Sequence, residues 1–344
     1  MRRVLVIVFV LLVAGSALLW FSINRPYAGF EGELLIDIPR GTGSKDMAAL
    51  LAEKGVLFAP WEFLVVRAFR RNVALQAGEY RFAGPASAWQ VFDRLASGDI
   101  HYYELRVPEG SNVFEVARIV GGLGFVTAAQ MERAASNTSL VADLAPQARN
   151  LEGYLFPSTY RVTRQMTAEQ ICRIMVEEFR RQWRETGGSG AVHETVTLAS
   201  LVEKETGRGQ ERATVASVYR NRLALGMKLE CDPTTIYAAL LQGRYRGEIH
   251  RSDLESRHPY NTYQNEGLPP GPIANPGRAA IEAALRPAET NYLFFVAKPG
   301  LDGGHIFSAT ISQHTRAVAE YRRGQGKQAQ PTRTVSRTGK TGRG

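Results

Sequence analysis

The sequence predicts an α+β protein held by one N-terminal transmembrane helix. Three observations predict it. Val4–Ile23 is a run of twenty uncharged, mostly apolar residues, about the length that crosses a bilayer. Between residues 29 and 137 a strand–turn–helix pattern occurs twice. From about residue 150 onward, helical periodicities lead into a two-stranded hairpin.

Arg2 and Arg3 precede the apolar run, which orients the N-terminus, residues 1–3, to the cytoplasm. Gly15 and Ala17 are small residues at the spacing of a signal-peptide cleavage site. Leu18-Leu19-Trp20-Phe21 continue the apolar run past that point, so an uncleaved anchor over 4–23 is the preferred reading. The rest of the chain then lies outside the cytoplasmic membrane, as a single-pass protein.

Net charge is +9, but Arg2, Arg3 and the seven Lys or Arg of 322–344 account for all of it. The body is electrically balanced, which argues against a nucleic-acid-binding fold, since such a fold carries its basic face within the folded part. The Gly, Gln, Thr and Lys/Arg mix of 322–344 reads as a disordered basic tail. Cys172 and Cys231 have no framework spacing; an exported chain permits a disulfide between them without demanding one. The sequence has no zinc-like His/Cys cluster and no Gly-rich phosphate loop, so no metal or cofactor is expected.

The repeat is offset by 69 residues. Leu34–Gly41 aligns with Tyr103–Gly110, Ala48 with Ala117 and Gly55 with Gly124. Each copy reads as a strand, a Pro-x-Gly turn, a helix and a Gly cap. Two copies are too few for a solenoid.

In the second half, Thr167-Ala168-Glu169-Gln170 has the form of a capping box that opens a helix to about Arg184. Val196–Gly207 reads as a buried helix ended by Thr206 and Gly207. Leu198, Leu201, Val202 and Glu205 share one helical face, and Glu203 points away with Val196 and Ala199. A carboxyl on an apolar face is desolvated, its pKa rises, and near neutrality it can donate a proton to a leaving oxygen. Spacing alone also admits a salt-bridged Glu205. A helix from about Gln210 to Leu225 follows, capped by Gly226, with Asn221-Arg222 on a charged solvent face. Asp232-Pro233 starts a short helix to Leu241. The segment Tyr260–Gly277 is a long Asn-, Tyr-, Pro- and Gly-rich loop, and Tyr260, Asn261, Thr262 and Tyr263 suit sugar recognition. Tyr292–Ala297 and His305–Ser308 form the hairpin, and a helix from Ala309 to Tyr321 closes the chain. His305 and His314 read as structural or surface residues.

These motifs, in order, are Leu151-Glu152-Gly153-Tyr154-Leu155-Phe156-Pro157, Glu203-Lys204-Glu205-Thr206, Glu211-Arg212, Asp232-Pro233-Thr234, Tyr260–Tyr263, Gly267-Leu268-Pro269-Pro270-Gly271 and Asn275-Pro276-Gly277. Their order and spacing resemble the endolytic murein transglycosylases, the YceG-like family. Ala77–Phe82 and Leu95–Gly98 add to the likeness. The resemblance implies LysM-like halves at 29–137 and a catalytic domain at 150–321. The halves would hold N-acetylglucosamine polymers or act as spacers. Relatives usually carry Asp where this chain has Ser158, a turn position that Ser also serves.

The resemblance further implies a cell-wall lyase that cuts between N-acetylmuramic acid and N-acetylglucosamine, leaves 1,6-anhydro ends, and works beside cell wall synthesis proteins. Glu205 holds the place of the family's catalytic acid, with Glu203 as fallback because a helix end shifts by a residue or two. Glu152 could touch the sugar or serve a structural ion pair, and Tyr154 joins it among candidate substrate-binding residues. The rivals are a lysozyme-like hydrolase, which needs a second carboxylate, and a non-catalytic membrane-tethered glycan-binding scaffold. A pure binder gains nothing from burying Glu205.

Overall fold

The computed structural model describes residues 1–298 and 304–328. The protein is mixed helix and strand behind one apolar helix, and it divides into two compact units. Unit 1 is Met1–Leu105 with Thr159–Thr167; unit 2 is Arg106–Ser158 with Ala168 onward.

Unit 1 begins with α1 (Arg2–Asn24), whose 23 residues are long and apolar enough to span a bilayer. Strand β1 (Leu34–Ile38), α2 (Ser44–Glu53), α3 (Pro60–Phe69) and β2 (Gly78–Phe82) follow, then α4 (Ala88–Ser97) and β3 (Tyr103–Arg106). β1 and β2 pair antiparallel, Leu34 opposite Phe82 and Ile38 opposite Gly78. Alternation puts Ile36 and Ile38 inward beside Phe63, Val66, Tyr80 and Phe92, all buried. α4 starts at a capping box in which Ser87 Oγ accepts from Gln90 N and Gln90 Oε1 accepts from Ser87 N.

In unit 2, α5 (Val113–Gly121) and α6 (Ala128–Ala135) each open on a capping box, Asn112 with Glu115 and Thr127 with Gln130. β4 (Thr159–Val162), which belongs to unit 1, pairs with β3. The repeat therefore runs further than its sequence signal. Each copy is strand–helix–helix–strand, β1-α2-α3-β2 and β3-α5-α6-β4. Gly41 and Gly110 both take positive φ at the turn, +85° and +73°, which explains glycine at both positions. The packing division cuts through the second copy, whose strands belong to unit 1 and whose helices belong to unit 2.

The rest of unit 2 is α7 (Ala168–Glu185), α8 (Val192–Glu205), α9 (Arg212–Ala224), α10 (Asp232–Leu241), α11 (Arg251–Leu254), α12 (Arg278–Leu285), β5 (Phe294–Ala297), β6 (His305–Ser308) and α13 (Ile311–Gln328). β5 and β6 form the expected antiparallel hairpin, Phe294 opposite Ser308. α7 begins one residue after Thr167, where the capping pattern puts it.

α8 is the buried helix expected, but its burial does not stop at the face of Leu198, Leu201 and Val202. Val196 and Ala199, on its supposed outer face, are as buried as Leu201 and Val202. A helix apolar on every side lies inside its unit. α9 also departs from expectation. Arg222 is buried and donates to the carbonyls of Leu293, Lys228 and Leu229, and Asn221 Nδ2 donates to those of Thr290 and Tyr292. These side chains satisfy the backbone entering β5, so Asn221-Arg222 is a brace and not a solvent face. α13 continues through residues 322–328, which the sequence assigns to the tail; residues 329–344 lie outside the described residues.

Candidate functional site

The site grows from the end of α8. Glu205 is its last residue, and Thr206 turns extended at φ −138°, ψ 126°. α9 packs on α8 and brings Tyr219, whose hydroxyl donates to Glu205 Oε1 at 2.7 Å. Cys231, the residue capping α10, directs its buried thiol to the same carboxyl. Burial pushes the Glu205 carboxyl above its ordinary range, Tyr219 and Cys231 partly oppose this, and nearby Asp232 reinforces it. Burial also pushes Tyr219 and Cys231 well up, so both stay neutral donors. Glu205 makes no ion pair among the described contacts, so the salt-bridged alternative does not describe it. Tyr219 holds Glu205 Oε1, and desolvation favours the protonated form of the carboxyl.

That carboxyl lines a cleft of about 490 Å³ that also takes in Asp232, Tyr263, Phe295, His305 and His314. The hairpin β5–β6 and α13 form one wall. His305 is aimed by Glu211, which takes its Nδ1 at 2.7 Å and accepts from its backbone N at 3.1 Å. His314 stacks on Phe294 at 5.1 Å, and burial lowers its pKa. Tyr263 donates to Asp232 Oδ1 at 2.6 Å. Glu230, on the rim, sits at φ +52°, a strained value for a non-glycine residue, and pairs with Arg222 at 3.1 Å. A wider hollow of about 580 Å³ lies over Arg220 and Glu289–Tyr292. It is open, and its one acid, Glu289, is exposed to solvent.

The sequence profile of the YceG-like family matches residues 36–320. The chain belongs to that family. It is 30% identical over 335 residues to a Bacillus subtilis protein named endolytic murein transglycosylase, covering 90% of this chain and 91% of that one. A Streptococcus pneumoniae protein of the same name is 28% identical over 83% of this chain, which spans 58% of that longer relative. A crystal structure of a yceG-like protein from Listeria monocytogenes aligns with TM-score 0.54 and 30% identity, over 83% of this chain and 99% of that one.

Among the residues that the sequence nominates in this YceG-like chain, the structure brings Glu205 and Tyr263 to the cleft. Glu203 is not a lining residue. Its side chain is 6% exposed, accepts from Arg212 Nη2 at 3.0 Å and from Gly277 N at 2.9 Å, and so ties α8 to the start of α9. Glu152 is fully buried; it accepts from Val113 N at 2.9 Å, at the first turn of α5, and from Asn275 Nδ2 at 3.2 Å. It is neither a sugar contact in this conformation nor half of an ion pair. Tyr154 is fully buried, with its hydroxyl 2.8 Å from His193 Nδ1.

Tyr260, Asn261 and Thr262 likewise build the loop. Tyr260 packs on Tyr237. Asn261 Nδ2 donates to the carbonyls of Asp253, Leu254 and Ser256, and its Oδ1 accepts from Tyr263 N. Thr262 Oγ1 accepts from Cys231 N. Four residues that the sequence does not nominate stand beside Glu205: Tyr219 bonds it, and Asp232, His305 and His314 line its cleft. Tyr219 stands at i, i+4 from Val215, a spacing that in sequence marks only a core-facing position. Cys172 and Cys231 are both buried and unbridged. No group of three or more His, Cys, Asp or Glu side chains among the described residues is placed to hold a metal ion.

Two consequences can be measured. Tyr219→Phe removes a bond that favours the ionised Glu205, so the Glu205 pKa rises further. The high-pH fall of any activity that needs protonated Glu205 then moves to higher pH in a pH–rate profile. A limb unmoved by the substitution counts against the pairing.

Glu152 concerns stability. Burial lifts its pKa from 4.5 to about 8, against the pull of the Val113 N–H. A folded-state pKa above the unfolded value means stability is full below the unfolded pKa and is lost as pH rises through the folded one. Between about pH 5 and about pH 9, wild-type stability should fall by a few kcal/mol. Glu152→Gln should flatten that slope in denaturant titrations; equal slopes in both proteins would exclude Glu152 as its source.

Proposed function

We propose that this chain is a membrane-anchored endolytic peptidoglycan transglycosylase. The observation that carries the reading is the half-buried, desolvated Glu205 carboxyl, without an ion pair among the described residues, at the head of a cleft in a YceG-like chain whose relatives bear that name. Protonated Glu205 donates to the oxygen between N-acetylmuramic acid C1 and the next N-acetylglucosamine. The C1–O bond breaks and C1 becomes electron-poor. The C6 hydroxyl of the same muramic ring attacks C1 and gives its proton back to the Glu205 carboxylate. Attack within one ring gains from proximity, and no water has to be positioned. Tyr263 and Phe295 offer ring surface for a glycan in the cleft, and Tyr219 keeps the carboxyl aimed.

A second reading has an observation of its own. Asp232 lines the same cleft, and a hydrolase would need such a carboxylate to activate water or attack C1. The products decide. Purified sacculi digested with the enzyme should release fragments ending in 1,6-anhydro-N-acetylmuramic acid, one water lighter by mass spectrometry than hydrolase products. Reducing muramic ends would transfer the assignment to the hydrolase.

α1 serves in this reading as an uncleaved single-pass anchor. Arg2 and Arg3 stay in the cytoplasm, and unit 2 acts outside the inner membrane. The two strand–helix–helix–strand copies are LysM-like holders of glycan or spacers, and cell wall synthesis proteins are the expected neighbours.

A further inference from the structure

α3 has an outward face unlike that of a helix bathed in water. Only Glu62 and Arg67 on it are charged, and both are occupied. Glu62 is 3% exposed and accepts from Ser22 Oγ at 2.7 Å, and Arg67 donates to the carbonyls of Arg70 and Val73. The outward positions Trp61, Ala68 and Phe69 lie on one helical stripe, joined through Leu64 and Val65, which are half-buried against the core, and the stripe carries no charged side chain. Trp61 is 43% exposed, Phe69 is 70% exposed, and Phe58 just before the helix is 60% exposed. Trp89 extends the patch, its ring 6.4 Å from that of Phe69. A surface helix of a water-soluble unit carries charged and polar residues on that face.

The place of this stripe in the fold says what covers it. α1 is about 34 Å long at the helical rise, close to the thickness of a bilayer's hydrocarbon core. Its last turn therefore stands at the membrane boundary. The Ser22–Glu62 hydrogen bond fastens that last turn to the first turn of α3. The Arg25 guanidinium, one residue past α1, lies 5.1 Å over the Phe58 ring, and Tyr27 meets the same ring edge-on at 5.6 Å. Arg71 stands beyond the other end of the stripe. Aromatic side chains flanked by Arg, continuous with the mouth of a spanning helix, match the chemistry of a lipid headgroup layer.

We propose that α3, with Phe58 and Trp89, is seated in the headgroup region of the leaflet from which α1 emerges. The rings enter the acyl boundary and Arg25 and Arg71 meet lipid phosphates. The first copy of the repeat is then fixed on the membrane surface and does not swing on a single tether. This rests on α1 being the anchor.

The test uses nitroxide labels on single cysteines in the full chain, reconstituted in phosphatidylethanolamine–phosphatidylglycerol vesicles. Cys172 and Cys231 are buried and stay unlabelled. Trp61→Cys, Ala68→Cys and Phe69→Cys report the stripe. Leu35→Cys is the aqueous control, since Leu35 is 43% exposed on the sheet face opposite the buried Ile36 and Ile38. Leu11→Cys reports the anchor. Labels at 61, 68 and 69 should collide with a water-soluble nickel chelate several-fold less than the label at 35, and more with oxygen. Labels at 61, 68 and 69 as open to nickel as the one at 35, with 11 in the bilayer core, would overturn the seating alone. A label at 11 open to nickel would overturn the anchor and the seating with it.

Discussion

Glu205→Gln is expected to lose strand cleavage by roughly 10²–10⁴-fold while folding like the parent chain. Gln keeps the volume of Glu and still offers an oxygen to the Tyr219 hydroxyl that donates to Glu205 at 2.7 Å. It cannot donate the acid proton, nor take one back from the attacking hydroxyl, so both halves of the proposed reaction fail. Stability should not drop. Burial already disfavours the ionised form of Glu205, and an amide in that slot carries no charge to desolvate. Fragment release from sacculi measures the activity, and a denaturant titration measures the fold. Glu203→Gln is the necessary companion. Glu203 holds Arg212 and Gly277 N, so its loss should weaken the fold more than the chemistry of a correctly folded molecule. A Glu205→Gln enzyme with parental rates, beside an inactive but folded Glu203→Gln, would move the acid to Glu203.

What the sequence made legible and what it hid follow from the range of the interactions. Glu205 was legible because a helical wheel is local: four residues separate it from Leu201, and any buried helix puts the two on one face. Tyr219 was hidden as its partner because the wheel treats one helix at a time, and the crossing of α8 with α9 is a tertiary fact. The repeat was legible as far as its Pro-x-Gly turns, whose glycines need positive φ. Its closing strands were not, since β1 finds β2 forty or more residues on. The loop from Tyr260 misled in a physical way. A long segment without helix or strand must satisfy its backbone groups somehow, and buried polar side chains do so. Asn261 spends its amide on three carbonyls of residues 253–256. In sequence, an Asn that holds a loop and an Asn that holds a sugar look the same. Asp232 was read as the start of a helix, which it is, and its seat on the cleft came from the turn before it.

Asn275→Ala should remove a large part of the stability of unit 2. The Asn275 side chain is fully buried and makes four hydrogen bonds to segments far away in sequence. Oδ1 accepts from Gly153 N and Leu155 N, both at 2.9 Å. Nδ2 donates to the Ser111 carbonyl at 2.8 Å and to Glu152 Oε1 at 3.2 Å. One side chain thus joins the entrance to α5, the 151–155 turn and the loop that leads to α12. The junction has no slack. Gly153 sits at φ +87°, and a Cβ there would lie 2.5 Å from Pro272 and 2.8 Å from Val196. Alanine strands two buried amides and removes two donors, each unmade bond costing about 1–3 kcal/mol. The losses share neighbours and do not simply add, so a total of roughly 4–6 kcal/mol is expected, against the 5–15 kcal/mol of a typical domain. Asn275→Asp separates the hydrogen bonds from the shape. It keeps the acceptor for both amides but aims a second oxygen at the Glu152 carboxyl and the Ser111 carbonyl. It should therefore be destabilised near neutral pH and recover as pH falls, because a protonated Asp can donate across that gap. Denaturant midpoints for both variants across pH test this, and an Asn275→Ala midpoint within error of the parent would show that the junction does not hold unit 2 together.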